Sequence, residues 1–170
     1  SNAEILRELN LVANPGHLYL HGAWQLVDDA GQVMSLGEFH PSVGIPAMQA
    51  ARLRRVAVSA ASVLCIENPT SFYEAIRNTR FAVTALCLWG NPSPACRHLL
   101  RCLPENVALQ VWADIDYGGL NILAQLREQV NVQAKPYLMD IETLESHAMW
   151  ARPLTPADVN NLTRLARRLS

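Results

Sequence analysis

Glu67, Asp114 and Asp116 are the residues of this chain whose types and spacing could do chemistry together. Glu67 follows the apolar run Val63-Leu64-Cys65-Ile66 and precedes Asn68-Pro69. In "LQVWADIDYGGLNIL" a second apolar run gives way to Asp114, Asp116 comes two residues later, and Gly118-Gly119 lead into a helix-like stretch. A carboxylate at the carboxyl end of a buried strand must stay wet, be paired or hold a cation. Positions i and i+2 of an extended segment point the same way, so Asp114 and Asp116 can face one spot. If the strands ahead of Glu67 and Asp114 are neighbours, about 4.8 Å apart, all three carboxylates converge in the crevice beyond the sheet's carboxyl edge. Such a cluster repels itself unless a hard cation sits in it. Mg²⁺, with Mn²⁺ as its substitute, suits oxygen ligands completed by a substrate phosphate. Gly118 and Gly119 let substrate approach the backbone, and the helix N-terminus after them favours an anion. The plainer reading is three solvated turn residues, because Asp is common wherever chains turn.

The elements that would position these residues are those of an α/β fold. From about residue 60 onward apolar runs alternate with helical patterns, which is the grammar of a parallel sheet. Strands are predicted over Ser62–Ile66, Ala82–Leu88, Ala108–Ala113 and Pro136–Met139. Helices are predicted over Ser71–Arg77, over Pro94–Leu103 with Ser93 as N-cap, over Gly119–Val130, and over Pro156–Leu169 with Thr155 as cap. The expected product is a largely parallel four-stranded sheet with helices on both faces, spanning 59–170. Residues 4–58, with Gly16, Gly22, Gly31, Gly37 and Gly44 between short apolar pieces, read as a small β-rich or irregular element with a turn at Asp28-Asp29-Ala30-Gly31. Ser1-Asn2-Ala3, with no initiator Met, reads as a remnant of tag removal, so 1–3 are excluded from the fold and further domains are expected upstream.

Composition bounds the function. With 170 residues, 50% of them hydrophobic and 17% charged, the chain can build a real core and is too apolar for disorder. A net charge of −1 excludes a polycation, so any DNA contact must use local patches or a metal. Arg52, Arg54, Arg55 and the Arg164, Arg167, Arg168 face either touch a phosphate backbone or are solvated surface. The four cysteines show no CxxC or Cys/His ligand spacing, and read as reduced, mostly buried thiols of a cytoplasmic protein. The five histidines likewise lack ligand spacing. No secretory signal is apparent, and the most continuous apolar stretch, Phe81 to Trp89, is far short of the roughly 20 residues a membrane span needs.

The order strand-Glu, helix, strand, Gly-containing loop, helix, strand-Asp-x-Asp-x-x-Gly resembles the Toprim domain of topoisomerases, primases and related nucleases over about residues 60–140. Glu67, Asp114 and Asp116 match that family's Mg²⁺ carboxylates one by one, and Gly90 matches its loop glycine. More narrowly, "IENPTSFYEAI" followed by "DIDYGGLNIL" is similar to the C-terminal Toprim module of the nuclease subunit in Wadjet-type plasmid-defence systems, relatives of the A subunit of topoisomerase VI. The resemblance implies Mg²⁺-dependent cleavage of DNA, with Glu67 as ligand or general acid/base and Asp114 and Asp116 holding the ion. Asn68, Gly90, Gly118 and Gly119 would contact substrate, and Asp140 could join as an outer ligand. The implied partners are DNA, upstream winged-helix-like domains, other defence-complex subunits and a second copy as a homodimer, with no membrane. In the topoisomerase relatives the nucleophilic tyrosine comes from a separate winged-helix domain, and nothing here looks like one. Tyr73 and Tyr117 read as packing or rim aromatics, which leaves hydrolysis by a metal-positioned water.

Two other classes compete. A Toprim-fold module used only for docking or DNA binding would keep the fold and be inactive alone. A haloacid-dehalogenase-like phosphohydrolase also uses Asp-x-Asp after a strand. There, however, the motif sits on the first strand with Thr or Val next and a catalytic Lys downstream; here two strands precede it, Tyr117 follows, and Lys135 is the only lysine.

Overall fold

The structure is a computed structural model that describes residues 16–77 and 83–169. The expected tag remnant, residues 4–15 of the N-terminal element and the predicted strand position Ala82 lie outside the described residues. The strands are β1 (His17–His21), β2 (Trp24–Asp28), β3 (Val33–Ser35), β4 (Val43–Pro46), β5 (Leu53–Val58), β6 (Ser62–Ile66), β7 (Ala85–Cys87), β8 (Ala108–Trp112) and β9 (Lys135–Pro136). The helices are α1 (Ala47–Ala50), α2 (Pro69–Arg77), α3 (Pro94–Arg101), α4 (Tyr117–Gln129), α5 (Ile141–Ser146) and α6 (Pro156–Leu169), with a 3₁₀ turn at Ala148–Trp150 between α5 and α6.

The α/β expectation holds, with six strands in the main sheet among the described residues rather than four, in the order β4-β1-β7-β6-β8-β9. β7, β6, β8 and β9 run parallel; β1 is antiparallel to both β7 and β4. β1 and β4 come from the glycine-rich N-terminal region and extend the sheet at its β7 edge. The remaining strands of that region form a separate antiparallel sheet, β3-β2-β5. Its β2–β3 turn is closed by buried Asp28, whose Oδ1 accepts the N–H groups of Ala30 and Gln32.

Local chemistry accounts for the elements around the site. β6 has one half-buried residue, Ser62, and four buried ones, the signature of a central parallel strand. α3 starts where Ser93 Oγ accepts the Cys96 N–H with Pro94 at the first helical position. α2 starts two residues earlier than predicted, because Asn68 Oδ1 accepts the Thr70 N–H at 2.7 Å and Pro69 fits the first turn. α6 opens with a reciprocal cap, Thr155 N–H to Asp158 Oδ2 and Asp158 N–H to Thr155 Oγ1.

One sheet face carries Val63, Cys65, Leu86 and Val111 and packs on α3, α4 and the small sheet through Leu99, Ile122, Leu126, Trp24 and Val56. The other carries Leu64, Ile66, Ala85 and Cys87 and is covered by Phe72 and Ile76 of α2. Cys65, Cys87, Cys96 and Cys102 are all unpaired thiols, and burial pushes that of Cys96 up to about 12. Among the described residues no helix is long and apolar enough to cross a membrane.

Candidate active site

The strand order turns the sequence expectation into geometry. Numbered along the chain, the four parallel strands stand second-first-third-fourth, so the direction of winding reverses between β6 and β8. A crevice opens at such a switch point beyond the carboxyl ends of the two strands. β6 and β8 are direct neighbours, with Ile66 opposite Trp112. Glu67 follows the first and Asp114 and Asp116 follow the second, so all three expected residues stand at this crevice.

Glu67 is tied into both neighbouring strand ends. Its N–H donates to the Trp112 carbonyl at 2.9 Å, and its own carbonyl accepts the Gly90 N–H at 3.1 Å. Its Oε2 accepts the Asp114 N–H at 3.2 Å, so the carboxylate reaches across the crevice mouth. Partial burial raises the Glu67 pKa, the Asp114 N–H opposes the rise, and the charges of Asp114 and Asp116 add to it. Glu67 therefore senses both aspartates. They do not close into a cage: among the described residues no three His, Cys, Asp or Glu side chains stand close enough together to hold a metal ion.

Because the folded-state pKa of Glu67 lies above its ordinary value of 4.5, ionising Glu67 weakens the fold. Its contribution is fully present below that ordinary value and is lost as pH rises through the raised one. Glu67→Gln keeps an acceptor for the Asp114 N–H without the charge. In metal-free buffer its melting temperature should match wild type at pH 4 and exceed it at pH 7. A gap of opposite sign in calorimetry at the two pH values would contradict this electrostatic picture.

Asp116 has a structural task besides any chemical one. It is the N-cap of α4: its Oδ1 accepts the Gly119 N–H at 2.9 Å, which is why the helix begins at Tyr117 and not at Gly119. Asp116→Ala should therefore cost about 1 kcal/mol, or about 2–4 °C in melting temperature, whereas Asp116→Asn, an equally good cap, should cost only a fraction of that. Thermal unfolding of the two variants separates capping from charge.

The glycines divide the same way. Gly119 is buried and packs against the end of β8, where an added Cβ would stand 2.1 Å from the Asp114 carbonyl oxygen. Gly118 is exposed at the crevice. Gly90, at φ +88, turns the chain after β7. Asn68, expected to contact substrate, spends its Oδ1 on capping α2. Asp140, expected as an outer ligand, caps α5 through the Thr143 N–H, which holds its carboxyl below the usual range. Tyr73 packs edge-on against Phe72, in keeping with its reading as a packing residue. Arg52 pairs with Asp29 at 2.8 Å and Arg168 with Glu128 at 2.9 Å, so these two cations are partnered within the chain.

A family model described as "Wadjet protein JetD, C-terminal" matches residues 30–169. The chain belongs to the JetD C-terminal family. It is also 28% identical over 151 residues to Wadjet protein JetD of Bacillus cereus (strain Q1), a stretch that makes up 84% of this chain and 36% of that protein. The chain thus spans little more than a third of that relative's length. The JetD match contains Glu67, Asp114 and Asp116 together with, among the described residues, all six helices and all four parallel strands. It begins in the β2–β3 turn, so β1, which borders β7, precedes it. Sequence reasoning on this JetD module missed Trp89, taken there only as the end of an apolar stretch. It is instead exposed, with φ +56, immediately before Gly90. The signal was an aromatic residue directly before a glycine at a strand end.

Proposed function

We propose that this chain is the metal-dependent catalytic module of a plasmid-defence nuclease, with a Toprim-type site that hydrolyses a DNA phosphodiester. The observation that carries the reading is the bond from the Asp114 N–H to Glu67 Oε2, which joins two acidic strand ends at the switch point of a parallel sheet. Membership of the JetD C-terminal family supports the defence role.

The donor set fits a hard divalent cation. The acidic side chains here offer carboxylate oxygens, partial burial and then the charges of Asp114 and Asp116 oppose the ionised form of Glu67, and Mg²⁺ typically needs one or two carboxylates beside substrate oxygens. Glu67 and Asp114 would hold the ion, and Asp116, with Oδ1 committed to the cap, would add its negative charge beside them. When bound, Mg²⁺ supplies Lewis-acid stabilisation of charge on the phosphate. Glu67, whose ionisation is resisted, also has the pKa direction wanted in a group that takes a proton from water and returns it to a leaving oxygen. The N-termini of α2, α3 and α4 all open at this sheet edge and favour an anionic substrate.

A docking module without turnover is the second reading, favoured by the open arrangement of the acids. Supercoiled plasmid, incubated with the protein alone and with the other subunits of a Wadjet system, distinguishes the two. Nicking or linearisation should require Mg²⁺ or Mn²⁺ and fail with EDTA, and Ca²⁺ should support binding with little cleavage. Binding with no cleavage in any combination would replace the nuclease reading by docking.

A further inference from the structure

We propose that Trp89 and Tyr19 form a stacking platform for an unpaired nucleobase, in a groove of about 910 Å³ beside the carboxylate crevice. The proposal deepens the nuclease reading and rests on it for the nature of the ligand, while stacking itself requires neither metal nor turnover.

Trp89 is held where neither burial nor backbone preference would put it. The residue is 61% exposed, and its φ of +56 lies in the left-handed region, which is costly for a bulky side chain. Gly90 follows with φ +88, so the chain leaves β7 through two successive left-handed residues. Strain of this kind persists only when the surroundings impose it, and here it presents an indole to solvent.

The neighbouring strand is arranged to meet that ring. Tyr19 of β1 stands opposite Cys87 of β7, and its ring centroid is 5.4 Å from that of Trp89 at a 30° tilt. On the other side of Tyr19 lies Gly44 of β4, where an added Cβ would come within 3.2 Å of the tyrosine ring. The missing side chain lets the phenol lie over the edge strand. His17 extends the row, its centroid 6.5 Å from that of Tyr19.

The platform borders the crevice. The Gly90 N–H donates to the carbonyl of Glu67, so Trp89 is one residue from a direct backbone contact with the proposed catalytic glutamate. Leu18 and Leu88 are among the groove's apolar lining residues and Asn91 and His98 among its polar ones; His98 Nε2 is bonded to the Leu53 carbonyl, and Asn91 Oδ1 accepts from Gln125 Nε2. A flat apolar slot with an amide and an imidazole at its border fits the π-face and polar edge of a base. Inside a duplex both faces of a base are already stacked, so the ligand is a nucleotide at a strand end, a gap or a melted step.

The test uses the chain in EDTA with a hairpin duplex bearing four-nucleotide single-stranded tails that contain 2-aminopurine, against the same hairpin without tails. Wild type should bind the tailed hairpin more tightly and quench its fluorescence. Trp89→Gly should lose the quench and weaken tailed binding by about tenfold, leave the blunt hairpin unchanged, and melt no lower than wild type because glycine accepts this φ. Trp89→Phe should retain most of the effect. Equal affinity of wild type for the two hairpins, an equal loss on both in Trp89→Gly, or no binding of the tailed hairpin at millimolar concentration would each overturn the proposal, the last leaving the groove for a protein ligand. A chain that stacks the tail but never cleaves would remove the nuclease reading alone. One that cleaves while Trp89→Gly changes nothing would remove the platform alone.

Discussion

Plasmid cleavage should fall by about a hundredfold or more in Glu67→Ala and in Asp114→Ala, the size of loss expected when a group stabilising the transition state or moving its proton is removed. DNA affinity should hardly change. Non-specific affinity comes from cations meeting phosphates, and neither residue supplies one. In EDTA the sign should even reverse slightly, because each substitution removes a negative charge from a crevice that must admit a phosphodiester. Glu67→Ala removes the side chain whose Oε2 accepts the Asp114 N–H, so the β8 end loses an anchor as well as a charge. Glu67→Gln, which keeps that acceptor, should lose cleavage nearly as fully. Quantified nicking and linearisation beside fluorescence anisotropy on the same DNA reads both quantities. Cleavage that survives all three variants would take these residues out of the mechanism.

The largest stability effect should come from a methyl group. In Gly119→Ala the new Cβ would meet the Asp114 carbonyl oxygen at 2.1 Å, the Ala113 Cβ at 2.9 Å and the Asp114 nitrogen at 3.0 Å. Two of these are backbone atoms of the segment that leaves β8, so no side-chain rotation relieves the clash; α4 must move off the sheet. Forced overpacking of this kind costs about 3 kcal/mol, which corresponds to about 6–12 °C in melting temperature. Gly118→Ala is the internal control. Its Cβ would face Asp116 Oδ1 at 3.2 Å, and the gain in helix propensity offsets that contact, so its melting temperature should stay within about 2 °C of wild type. Similar melting temperatures for the two variants would contradict the close packing of α4 on the end of β8.

What the sequence disclosed, and what it concealed, follows from the range of the interactions involved. β6 was legible at both ends because an uninterrupted apolar run bounded by Ser62 and Glu67 has few other readings. The crevice was legible because strand-end acids in an alternating α/β pattern have one natural meeting place. The start of α4 was not, since Asp116 was read for its charge while its Oδ1 caps the helix. The capping by Asn68 and Asp140 was concealed for the same reason: a side-chain oxygen at a strand-to-helix junction can cap or contact a ligand, and spacing alone does not say which. The pairing of β1 with β7 was concealed because its partners, Leu20 and Leu86 among them, are far apart in sequence and nothing local names the partner. The left-handed backbone at Trp89 was concealed because Trp89 closes an apolar stretch that carries no turn signal before Gly90.

The central claim is that Glu67 and Asp114 hold a divalent cation at the β6–β8 crevice. Crystals of the chain soaked in Mn²⁺ and measured for anomalous scattering test it without requiring activity. The account predicts a peak bonded at about 2.1–2.2 Å to carboxylate oxygens of both residues, absent from Asp114→Ala crystals soaked alike. A peak elsewhere with this crevice empty, or a peak that persists unchanged in Asp114→Ala, would contradict it.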